Sequence, residues 1–190
     1  MLRRYQRLSE ARTAALAEEW EALHGKLHEH HHVEDTAMFP GMRAQGGELT
    51  AVLDSLEADH RRIDPLLERG DRAFAHLPQR LDDARQVIAE LASLLAPHLA
   101  LEEEKVMPFL RGATEFPPPA SEAEAELYAS GFAWSTQGVA SDIVEKLDGL
   151  LPESVRRRLP AARAAFHARA EAAFGPITPG SARTPIPSGD

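Results

Sequence analysis

The feature that most constrains this chain is a set of histidines and glutamates at positions where helical periodicity asks for apolar core. One stripe runs Leu16, Trp20, Leu23 and Leu27, in steps of four, three and four, as on one face of a bundle helix. A second runs Leu49, Leu53 and Leu56, then Ile63 and Leu67, and a third runs Ile88, Leu91 and Leu95. Continued by the same steps, the first stripe reaches His30 and Glu34. The second reaches His60 before Ile63, and the third reaches His98 and Glu102. Lone charges and unpaired imidazoles in a core cost several kcal/mol each. A shared cation removes that cost by pairing with the carboxylates and occupying the imidazole lone pairs. Histidine and glutamate four residues apart point the same way from consecutive turns, so one helix can offer both to one metal cluster.

Composition narrows the alternatives. The 190 residues are rich in Ala and Leu with only two Tyr and two Trp, which favours helix over sheet. There is no Cys, so disulfides, thiol chemistry and Cys-based zinc sites are excluded, and any metal is held by His and carboxylates. The net charge of -9 argues against nucleic acid and anionic membrane as partners. No 18-residue apolar run and no N-terminal apolar signal region occur, and the expected location is cytoplasmic.

Proline and glycine divide the chain. The first stripe is expected to end near Phe39-Pro40-Gly41, the second at Gly70 and the third at Met107-Pro108. Before Leu16, the residues Leu2, Tyr5 and Leu8 spell about two turns of a further helix. Pro117-Pro118-Pro119 marks a linker over 114–121. Residues 122–151 and 153–174 read as two or three amphipathic helices, and 176–190 as a disordered tail. The expected domains are 1–112, a metal-binding bundle; 113–175, a helical extension; and 176–190, the tail.

The metal pattern repeats. His30-His31-His32-Val33-Glu34-Asp35 leads to Met38-Phe39-Pro40, and His98-Leu99-Ala100-Leu101-Glu102-Glu103 leads to Val106-Met107-Pro108. In both, His precedes Glu by four and Pro follows that Glu by six. A single HxxxE is a weak signal. Two in register, with a core-phase His60 between them, are a strong one. On these residues the chain resembles the hemerythrin-like (HHE cation-binding) proteins. The resemblance covers residues 1 to 112 and implies an all-α, up-and-down four-helix bundle, here with a shortened first helix and extra C-terminal helices. It also implies two iron ions, with manganese or zinc as other occupants. His30, His60 and His98 would be nitrogen ligands, and Glu34 and Glu102 bridging carboxylates. The implied function is binding of dioxygen or a redox response. The alternatives are a peroxide- or nitric-oxide-processing enzyme, and a partner-binding protein with a degenerate site. The ligand would be dioxygen or another small diatomic or peroxide. Ferritin-like di-iron proteins are the nearest rival, but they use the opposite order, Glu-x-x-His.

One departure stands out. The family's first helix supplies a further His, and nothing before His24 is a His. Either the natural chain begins further upstream or the ligand is lost. The expectation is an open fourth wall, weaker metal binding than in an upstream-extended chain, and exposed apolar core that favours a homodimer. Filling of the gap by His24, His28 or His31 is the contrary outcome. His24, His28, His31 and His32 read as mostly solvated, with a weak surface metal site as the next reading. Met38, Phe39, Met107 and Phe109 are expected to pack around the centre, and Asp64 to orient His60.

Overall fold

Ser9 opens the first helix of this computed structural model, which describes residues 8–44, 49–110 and 118–175. Its side chain accepts from the Arg12 amide, satisfying one of the orphan donors of the first turn. Helix α1 (Glu10–Val33) continues through a π-helical turn (Glu34–Met38) into α2 (Phe39–Ala44). Two long helices follow, α3 (Leu49–Phe74) and α4 (Leu81–Leu101), and α4 passes through a second π-helical turn (Glu102–Val106) into the short α5 (Met107–Leu110). No strand occurs among the described residues, and no helix there is long and apolar enough to cross a membrane. The further helix expected over Leu2 to Leu8 and the tail over 176–190 lie outside the described residues, apart from Leu8.

The chain divides into two compact units, 1–112 and 113–190. In the first, α1 and α4 pack on α3 around two apolar clusters. One contains Trp20, Ile63, Leu66, Leu67, Val87 and Leu91. The other contains Phe39, Met42, Leu53, Leu56 and Val106. His60 lies on α3 between Leu56 of one cluster and Ile63 of the other, so the ionisable core positions are held between two apolar layers. The second unit contains α6 (Glu122–Ser135), α7 (Ser141–Leu150), α8 (Glu153–Arg156) and α9 (Leu159–Phe174). Small residues let its helices approach closely: Ala125 and Ala129 of α6 pack with Val155 and Leu159.

The helices differ from expectation in two boundaries and in the phase of one stripe. Pro40 does not stop the first helix. The Phe39 amide bonds back to the Glu34 carbonyl, and Pro40 then falls in the first turn of α2, where a missing N–H is tolerated. Gly70 does not end α3. It lies inside the helix, and a Cβ there would stand 1.9 Å from Trp20 Cζ2, so glycine is required for the indole to seat. The third stripe is phased on Ala84, Val87 and Leu91, while Ile88 is 42% exposed. Phe109, expected in the core, is also exposed.

Candidate metal centre

Four of the five residues expected at the centre converge. Ligand atoms of Glu34, His60, His98 and Glu102 lie within 4.8 Å of one another, and all four residues are buried. Each HxxxE pair closes on itself across one turn: His30 Nε2 to Glu34 Oε1 is 3.4 Å, and His98 Nε2 to Glu102 Oε1 is 3.1 Å. The pairs also face across the helices, with His60 Nε2 3.5 Å from Glu34 Oε2 and His30 Nε2 4.0 Å from Glu102 Oε2. Each glutamate is therefore approached by imidazoles from two helices.

His30 stands at the rim, its side chain 48% exposed. The residue beside it goes inside. His31, expected in solvent, is 4% exposed and stacks on His60 at 4.0 Å between ring centroids. His31, His60 and His98 form a second group of ligand atoms within 4.8 Å, sharing His60 and His98 with the first. The physical reason is phase. From Leu27 a step of four reaches His31 and a further three reaches Glu34, which satisfies the 3.6-residue period as well as the opposite order through His30.

The carboxylate that orients His60 is Asp35, whose Oδ1 lies 2.8 Å from His60 Nδ1. With Nδ1–H donating to Asp35, Nε2 faces the centre as an acceptor. Asp64, expected in that role, is exposed. Asp59 Oδ2 lies 3.8 Å from His98 Nδ1. Phe39 closes one side, its ring 5.9 Å from that of His60.

Electrostatics follow from crowding. Burial, then the neighbouring carboxylates of Glu102 and Asp35, push Glu34 up to about 8. Burial acts the same way on Glu102, but His98 and His30 beside it outweigh that and hold its carboxyl below the usual range. The two carboxyls thus share a proton, carried on Glu34. Burial first, then His60, His30 and His98, push His31 down to about 3, so it is neutral with the lone pair of one ring nitrogen available. His30 is lowered as well, chiefly by desolvation.

A cation set can be tested on the donors themselves. Among the described residues, the buried side-chain atoms without a hydrogen-bond partner are both ring nitrogens of His31 and of His98, His60 Nε2, Glu34 Oε2 and Glu102 Oε1. All belong to this cluster. Buried polar atoms are nearly always paired, and each orphan costs about 1–3 kcal/mol. One nitrogen or carboxylate oxygen from each of Glu34, His60, His98 and Glu102 lies within 4.8 Å of the others, a donor set that fits a metal ion. The profile of the hemerythrin HHE cation binding domain matches residues 1–110, more than half of the chain. The chain belongs to the hemerythrin HHE cation-binding family. No curated protein and no solved structure matches it.

Proposed function

We propose that this hemerythrin-like chain is a non-haem iron protein that takes two iron ions and responds to dioxygen. In this reading His31, His60 and His98 would hold the metal through nitrogen, Glu34 and Glu102 through their carboxylates, and His30 would be a further donor at the rim. The bundle is of the up-and-down four-helix kind, with α1, α3 and α4 as three of its walls. The observation that supports it best is that every unpaired buried polar side-chain atom among the described residues belongs to a residue of this one cluster. Three imidazoles and two carboxylates, each carboxylate with two oxygens, are donors enough for two ions.

Iron in a set of imidazoles and carboxylates supplies exchange of electrons with a small oxidant, although the same donors also accept manganese or zinc. The residues do the rest. The two carboxylates balance the cationic charge. Asp35 fixes the His60 tautomer, and Phe39 with the apolar clusters on either side excludes water. The half-exposed edge at His30 is the approach for a diatomic molecule.

Metal analysis of protein made with iron and purified without chelator should find up to two iron ions per chain. Material free of iron, manganese and zinc alike would sink the assignment. Stopped-flow spectra then decide the chemistry. A spectrum that forms with dioxygen and reverses on its removal supports binding, whereas many turnovers of peroxide or nitric oxide would move the reading to an enzyme.

A further inference from the structure

Five of the chain's nine histidines fall between positions 24 and 32, and two of these, His30 and His31, belong to the centre. The other three, His24, His28 and His32, follow one another at four-residue spacing along α1, each one turn above the last. Their rings form a ladder. The centroids of His24 and His28 are 6.2 Å apart, and those of His28 and His32 are 6.5 Å apart with the rings parallel. His28 and His32 are exposed, and their ring nitrogens make no hydrogen bond among the described residues.

The lower rung is prepared. Asp71 of α3 places Oδ1 2.8 Å from His24 Nδ1 and also accepts from the Trp20 indole at 2.8 Å. This is the arrangement Asp35 makes with His60: a carboxylate accepts a hydrogen bond from Nδ1–H and leaves Nε2 with the free lone pair. Gly25 lies on the same face as His28 and His32 and has open space around it, so no side chain crowds that flank. Glu29, three residues before His32 and exposed, offers a carboxylate alongside.

We propose that His24, His28 and His32 form a second, solvent-facing metal site on α1, which takes one borderline divalent cation, Zn²⁺ or Cu²⁺, between two imidazoles one turn apart. Two histidines at i and i+4 on one helix face are a chelating pair for such ions. The ladder holds two such pairs, and His28 belongs to both. His24 and His32 are two turns apart, about 12 Å along the axis, and cannot close on one ion without it. The site is distinct from the buried centre, whose donors other than the rim residue His30 are buried.

The test uses full-length, iron-treated protein carrying Trp134→Phe, so that Trp20, 6.3 Å from His24 between ring centroids, is the remaining indole. Titration with Cu²⁺ should quench its fluorescence as one ion binds, and calorimetry with Zn²⁺ should show one equivalent beyond the chelator-resistant metal. His28→Ala should weaken this binding at least tenfold. His24→Ala or His32→Ala should weaken it only a few-fold, and the two together should match His28→Ala. The exposed positions His28 and His32 take alanine well, and circular dichroism checks that each variant, His24→Ala included, folds. Chelator-resistant iron should stay unchanged in all of them. Titration of His28→Ala like the parent would overturn the proposal, as would loss of chelator-resistant iron in step with the ladder ion. Protein that holds no iron in any form but still binds Zn²⁺ through His28 would refute the dioxygen reading and leave the ladder standing.

Discussion

Glu34 carries the proton that a cation must displace. Its folded-state pKa is raised to about 8 by burial and by Glu102, against an ordinary value of 4.5. By linkage, the metal-free fold therefore loses stability from Glu34 as pH rises between about 4.5 and 8. His31 works in the other direction. Lowered to about 3 from 6.5, it takes stability away as pH falls between those values. At pH 7 His31 is already neutral and Glu34 is still protonated, so metal binding should release about one proton per centre. Calorimetry in buffers of different ionisation enthalpy measures this, and affinity should rise up to about tenfold per pH unit below 8. Equal release at pH 7 and pH 9 would contradict the assignment. The choice between His30 and His31 was not legible in the sequence, because both fit the period within a residue. The stacking of His31 on His60 is what favours His31. His31→Ala should accordingly cost iron as severely as His98→Ala, and His30→Ala distinctly less, by metal analysis of the purified variants. Iron loss in the reverse order would make His30, not His31, the donor from α1.

At the scale of elements, both π-helical turns begin at a glutamate of the centre, Glu34 and Glu102. Such turns are rare and concentrate at functional sites, because the extra residue shifts the side chains that follow. Here the shift places Asp35 against His60 Nδ1 while Glu34 faces Nε2. It also explains why Pro40 and Pro108, each six residues after its glutamate, lie within helix and do not end it. The repeat of His, Glu and Pro was visible in the sequence, but the π turn was not, since a proline read locally is a stop. Gly70 was misread for a related reason. A glycine near the end of an apolar stripe has the form of a helix terminator, and only the position of Trp20 on α1 shows that it is a seat. The indole there also stacks on Phe74 at 4.7 Å and donates to Asp71. Gly70→Ala gains helix propensity of up to about 1 kcal/mol but drives a methyl into the indole, an overpacking cost of about 1–3 kcal/mol. Net loss of stability in urea is expected, with the Trp20 emission shifted. A stabilised Gly70→Ala would show that the indole moves aside freely.

At the scale of the molecule, the cation donors all lie in the first of the two compact units, and none of them in the second. The all-helical class and the three long stripes were legible because periodicity survives wherever one face is buried. The open fourth wall expected over Leu2 to Leu8 falls almost wholly outside the described residues. His31 nonetheless weakens the argument built on that wall, since it brings a further imidazole to the centre from α1 itself. The remaining question is what holds the first unit together without metal. Its middle layer then consists of imidazoles and carboxylates with seven buried atoms unpaired, between two apolar clusters. A ligand that binds only the folded state stabilises it by RT ln(1 + [L]/Kd), about 2.7 kcal/mol at a hundredfold excess over Kd. For a unit of this size, each kcal/mol moves the midpoint by about 4–8 °C. Thermal unfolding of the full chain should therefore show one transition that rises by more than about 10 °C with iron and falls back with chelator. Unfolding of the second unit, followed through Trp134, should not move with metal. Equal shifts in both would mean that the two units unfold as one, and no shift in either would leave the orphaned donors without the cation that their arrangement requires.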